Sequence, residues 1–267
     1  MLPLTGYDSS TYPIFHECLQ RYFPGALPME DYMKKTFHCL KALGFEDENT
    51  MGMAALCRDE ITDPLLNELI RYWGKTFNCC SLAGFVMMGK TGLAAATDHV
   101  PIFDGIRRFA FLAMPHIAIS RDGEIGKVYR EGIHKASHAC GALEAIVNEL
   151  ESGRLNLKMD IEDLEQSIIR QKILSTINYG EKPNLVEMTK LACQIISDDV
   201  ETLLNPLDSS IFKYAVMTGI QIHGPMDTNW IYPHDFYVVG ADLPGGKNVI
   251  EVVGKRNSGM DEGVFST

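Results

Sequence analysis

Residues 108–120, RFAFLAMPHIAIS, constrain the fold more than any other segment. The run is apolar on both faces instead of alternating. A strand reads this way when its sheet is covered on both sides, as in α/β proteins. The turn signal Arg121-Asp122-Gly123 closes it. Residues 29–43, MEDYMKKTFHCLKAL, carry apolar side chains at helical spacing, with Gly44 as a stop. Met51–Leu56 is a short apolar run consistent with a buried strand, and Cys57 sits at its end. Asp63-Pro64 opens a helix through LLNELIRYW, with Asp63 as a possible N-cap and Pro64 at the first helical position. Residues 137–152, 160–177 and 184–204 read as helices, and 213–223 and 236–242 as strands. Residues 78–101 are Gly- and Ala-rich and give no clear pattern. Alternating helices and strands predict an α/β fold, with one domain over 29–267 behind an irregular N-terminal arm at 1–28.

Charge narrows the partners. The chain has 267 residues, 24 Lys+Arg against 35 Asp+Glu, and a formal charge of −11. That balance argues against nucleic acid or an anionic membrane as partner, since both call for a basic face. No stretch approaches ~18 uninterrupted apolar residues, so no membrane span is expected. The N-terminus lacks the basic and long apolar regions of a signal peptide, so a cytoplasmic location is expected, with a plastid location left open. The seven cysteines are odd in number and the chain is not small, which predicts free thiols in a reducing compartment.

Residues 84–91, GFVMMGKT, fit the phosphate-loop pattern GxxxxGK[ST]. The context is wrong: Asn-Cys-Cys-Ser-Leu-Ala is a poor preceding strand, and bulky residues fill the loop. A Gly-containing turn is the better reading.

Cys57, His116 and Cys140 carry the chemistry. The first ends an apolar strand, the second lies within another, and the third stands near a helix start. Strand ends and helix starts of an α/β sheet converge on one crevice, and a helix N-terminus favours a thiolate. Two thiolates and an imidazole make a Cys2His zinc site with an open fourth position. Spacing alone leaves the alternative open that these are ordinary core residues, because ligand separations of 59 and 24 residues match no compact zinc motif.

The segments CRDE (57–60), GKTGLAAATDHVP (89–101), MPHIAIS (114–120), HACGA (138–142) and TGIQIH (218–223) resemble, in order, the limiting-CO2-inducible B/C family. That family is related to β-type carbonic anhydrases and overlaps the theta class. The resemblance implies a β-carbonic-anhydrase-like central sheet flanked by helices, and a homodimer. It also implies zinc on Cys57, His116 and Cys140, and hydration of CO2 to bicarbonate by zinc-bound hydroxide. β-type enzymes pair an Asp, two residues after the first Cys, with an Arg; Asp59 takes the Asp position, or else merely caps a helix. The β-type pattern places the basic residue at 61, where this chain has Ile61. Arg58, Arg71 or Lys75 must then supply it, and Arg71 is the choice carried forward.

His99 is a candidate proton shuttle or a rim residue. His138 would share the side of Cys140 only if that stretch is extended. His223 suits a pocket wall or a dimer edge. Cys79 and Cys80 read as core or pocket-near thiols. Phe85, Val86, Met87 and Leu93 are candidates for an apolar CO2 pocket. Two other functions compete: a catalytically silent member binding CO2 or bicarbonate in inorganic-carbon uptake, favoured by Ile61, and a hydrolase with Cys140 as nucleophile. The hydrolase leaves the placement of Cys57 unexplained.

Overall fold

The computed structural model describes residues 11–250 apart from 131, 133 and 134. In chain order the elements are α1 (Pro13–Tyr22), β1 (Leu27–Pro28), α2 (Met29–Ala42), β2 (Thr50–Ala55), α3 (Asp63–Trp73) and β3 (Thr76–Asn78). Next come α4 (Gly89–Asp98), β4 (Ile102–Phe103), β5 (Ile106–Ala113), β6 (His116–Ala118), β7 (Lys127–Val128), β8 (Ser137–His138) and α5 (Gly141–Ser152). The described residues end with α6 (Leu164–Thr176), α7 (Leu185–Leu204), β9 (Phe212–His223), β10 (Asn229–Val239) and β11 (Lys247–Val249). The main sheet runs β1-β10-β9-β5-β2-β3. Strands β3, β2, β5 and β9 are mutually parallel, and β10 is antiparallel to β9.

The two-faced burial expected of residues 108–120 is present. Successive side chains of a strand point to opposite faces. Phe109, Phe111 and Ala113 enter a core with α5, α6 and α7, while Ala110, Leu112 and Met114 enter another with α2 and α3. The same alternation puts Met51, Met53, Ala55 and Cys57 in the first core and Ala54 and Leu56 in the second. Sequence parity therefore fixes the face from which Cys57 projects.

The segment is not one continuous strand. Pro115 has no N–H to give the ladder, so β5 and β6 are separated there, although Met114 still donates to the Ala55 carbonyl and the Pro115 carbonyl accepts from Gln221. The register resumes unchanged: Ala113 lies beside Thr218 and His116 beside Gln221. Gly84 packs into this break at φ +75°, where a Cβ would stand 2.3 Å from the Met114 carbonyl oxygen. That close approach is what the glycine of the phosphate-loop look-alike serves. No long strand precedes it, and a 3-10 turn at Leu82–Gly84 occupies its place.

Other boundaries move. The expected irregular arm contains α1, whose Phe15 and Leu19 are buried with Ile222 and Trp230. An apolar i, i+4 pair was legible there, behind the Pro, Gly and aromatic content. Asp63 is the first residue of α3, not its N-cap, which is Thr62. Residues 137 and 138 are extended and the helix begins at Gly141. The last long strand starts at Asn229 and bends through a register shift between Pro233 and Phe236. No helix among the described residues is long and apolar enough to cross a membrane.

Candidate metal centre

Three separate parts of the fold deliver the three ligand candidates. Cys57 lies just past β2, where it bridges to Ser81, and the Thr62 hydroxyl donates to its carbonyl at 2.8 Å. His116 opens β6 directly after the break at Pro115. Cys140 is the N-cap residue of α5, at the end where unpaired amides and the helix dipole favour negative charge. Their ligand atoms lie within 4.8 Å of one another, and all three residues are buried.

The electrostatics suit a cation. The hydrogen bond from Cys140 holds the Cys57 thiol down at about 4, against the cost of burial. Cys140 is pushed well up, first because Cys57 carries the charge they share and then by burial. A divalent cation would relieve this competition by letting both sulfurs ionise. His116 Nδ1 lies 3.0 Å from His223 Nε2, whereas His116 Nε2 is buried with no hydrogen-bond partner. A buried imidazole nitrogen left bare is costly unless something else fills its lone pair. Two thiols and this nitrogen are the donor set of an open zinc site.

Asp59 lies beside the centre. Its Oδ1 accepts from Arg130 Nη2 at 2.6 Å. Arg130 also donates through Nε to Glu60 at 2.5 Å and contacts the Ser137 hydroxyl. Burial raises the Asp59 carboxyl above its usual range, while Arg130 pulls it back.

Arg130 thus replaces Arg71 as the basic partner. Helix α3 buries Leu65, Leu69 and Trp73, and Arg71 stands about 200° around the helix from Leu69. It is exposed, bonded to Glu68 at 2.5 Å, with its guanidinium 4.7 Å from the Tyr72 ring centroid. Arg58 is committed elsewhere, gripping Glu165 through both terminal nitrogens at 2.9 and 2.6 Å. Lys75 is exposed. Arg130 lies 71 residues from Asp59, and no motif marked it.

His99 is exposed at the C-terminal end of α4, with Nδ1 2.7 Å from the Ala95 carbonyl. His138 is extended, but its ring contacts Glu144 and Lys127 and is not part of the ligand triangle. All seven cysteines are free. Cys79 is buried, which pushes its thiol up to about 12, and Cys80 packs near the Ala54 carbonyl. Phe85 and Leu93 are buried in the core that holds Cys57 and Cys140, with Val86 and Met87 packed against it. His223 is buried beside a groove of ≈ 750 Å³ whose walls include Glu60, Ile61 and Tyr129.

The sequence profile of limiting CO2-inducible proteins B/C, beta carbonic anhydrases, matches residues 26–240. The chain belongs to this family. Among solved structures, limiting CO2-inducible protein LCIB is 31% identical, with a TM-score of 0.71, covering 88% of this chain and 98% of the other. PtLCIB4, a homolog of LCIB, is 26% identical with a TM-score of 0.73 over the same shares. No curated protein matches. The α/β architecture, with helices on both faces of a central mixed sheet, is that of the limiting CO2-inducible proteins.

Proposed function

We propose that this limiting CO2-inducible B/C protein catalyses the reversible hydration of CO2 to bicarbonate, with zinc held by Cys57, His116 and Cys140. The observation that carries the reading is the buried Cys2His triangle with a bare His116 Nε2. When bound, zinc supplies Lewis-acid chemistry that makes water nucleophilic near neutral pH. The chain's own residues do the rest. Arg130 anchors the Asp59 carboxylate, which is placed to accept a proton or hydrogen bond from the attacking water. Phe85 and Leu93, buried in the core that also holds Cys57 and Cys140, would supply the apolar side, where CO2 needs no polar partner. His99, exposed at the end of α4, passes the proton to solvent. A homodimer and a part in inorganic-carbon uptake belong to the same reading and are supported by family membership.

Ile61 at the β-type basic position favoured a silent member. Arg130 on Asp59 supports the active reading, because its guanidinium reaches the carboxylate from another loop. The deciding experiment is stopped-flow CO2 hydration at mildly alkaline pH, comparing zinc-replete with metal-stripped protein. Zinc-dependent acceleration is expected. One zinc bound per chain without acceleration would transfer the function to CO2 or bicarbonate binding.

A further inference from the structure

A row of polar side chains crosses three adjacent strands behind His116. Strand β6 runs parallel to β9 with His116 beside Gln221 and Ala118 beside His223. Strand β9 runs antiparallel to β10 with His223 opposite Asn229. Paired residues share a face of a sheet. His116, His223 and Asn229 therefore project from one face, and Ile117, Ile222 and Trp230 from the other, where they join an apolar core. His116 Nδ1 lies 3.0 Å from His223 Nε2, and His223 Nδ1 lies 2.8 Å from Asn229 Oδ1. Asn229 Nδ2 donates to the Asp227 carbonyl at 3.0 Å, and Gln221 Nε2 donates to Asn229 Oδ1 at 3.2 Å.

The protons of this row follow from its far end. A backbone carbonyl can only accept, so the Asn229 amide must turn its NH2 toward Asp227. That leaves Oδ1 facing His223. An amide oxygen also only accepts, so His223 carries its proton on Nδ1. A neutral imidazole protonated there has its lone pair on Nε2, which takes the Nδ1 proton of His116. His116 is left with a bare Nε2.

We propose that Asn229 and His223 are positioning residues that set the tautomer of His116 from the Asp227 carbonyl, and so present Nε2 to a metal ion. The inference rests on the zinc reading of the site. Ligating histidines generally donate their second nitrogen to a carboxylate or carbonyl. Here the acceptor is a neutral imidazole, so the row adds no negative charge to that of the two thiolates.

Long-range 15N–1H correlation spectra of the metal-free wild-type protein read the tautomer directly. His116 protonated on Nδ1 is expected, and His116 protonated on Nε2 would overturn the proposal whether or not the protein binds zinc. Zinc affinity by competition with a chromophoric chelator supplies the second test. Asn229→Leu and His223→Leu should each weaken it about 10–100-fold. Asn229→Asp and His223→Gln keep an acceptor in place and should stay within a few-fold of wild type. Wild-type affinity in a folded Asn229→Leu protein would sink the relay, even if His223→Leu fails to fold. A wild-type protein that binds no zinc would instead sink the metal reading, a different result from equal affinities across the series.

Discussion

At the scale of single residues, the site depends on partners that sequence proximity does not reveal. Arg130 offers Nη2 to Asp59 and Nε to Glu60, so one guanidinium offsets two adjacent carboxylates. Replacing it, as in Arg130→Gln, leaves Asp59 half-buried without its cation, and burial already raises that carboxyl. Less of it is then ionised at a given pH. The expected outcome is a fall in kcat/KM of about 10–100-fold, with the alkaline rise of the rate moved to higher pH. Arg71→Ala should change neither rate nor stability by more than ~0.5 kcal/mol, because the side chain is exposed and meets only its helix neighbours Glu68 and Tyr72. Stopped-flow rates across pH for both variants check this, and a larger loss in Arg71→Ala than in Arg130→Gln would reverse the assignment.

At the scale of elements, the break between β5 and β6 leaves the placement of His116 intact. Pro115 interrupts the ladder without shifting register, so His116 restarts beside β9 at the place a continuous strand would have given it. The loop before α4 then has to approach the Met114 carbonyl closely, and only glycine permits this. Gly84→Ala would place a Cβ 2.3 Å from that oxygen at a φ of +75°. Backbone must move, and the loss is expected to be on the order of 3 kcal/mol. Urea unfolding measures it, and a loss below ~1 kcal/mol would show that the loop yields freely. The strand itself was legible in RFAFLAMPHIAIS, as was its burial on both faces. Its interruption was signalled by Pro115. The short β8 ahead of α5 was not, because Ser137 and His138 are too brief a run for periodicity to distinguish from a helix start.

At the scale of the whole molecule, acid stability draws on pairs far from the centre. Lys213 on β9 is buried and bonded to Asp242 at 2.6 Å, with the Phe45 ring 5.8 Å from its ammonium. The hydrogen bond from Lys213 holds the Asp242 carboxyl below its usual range. The folded chain therefore binds that proton less readily than the unfolded chain. The stabilisation is complete above the ordinary carboxylate value near pH 4 and is lost as pH falls through the lower folded value. Asp242→Asn should cost about 1–2 kcal/mol at pH 7, because it strips a buried ammonium of its carboxylate. The gap to wild type should close below about pH 4. Urea unfolding from pH 3 to 7 tests this, and a gap independent of pH would rule the pair out.

The amino-acid sequence by itself determined what depends on local pattern. Two-faced apolar runs specified a covered sheet, helical spacing placed α2, α3 and α7, and residue parity set the face from which Cys57 projects. Residue types and spacing left Cys57, His116 and Cys140 as candidates, and the family resemblance of the motifs around them picked out the triangle that the fold brings together within 4.8 Å. Only the tertiary structure decided what those residues rest on. Arg130 reaches Asp59 from a loop 71 residues away. His223 meets His116, and Asn229 meets His223, only because β6, β9 and β10 are neighbours in one register. Such partners are chosen by strand order and loop path. A single hydrogen bond between distant residues leaves no periodicity in the chain, whereas a buried face repeats along it and can be read.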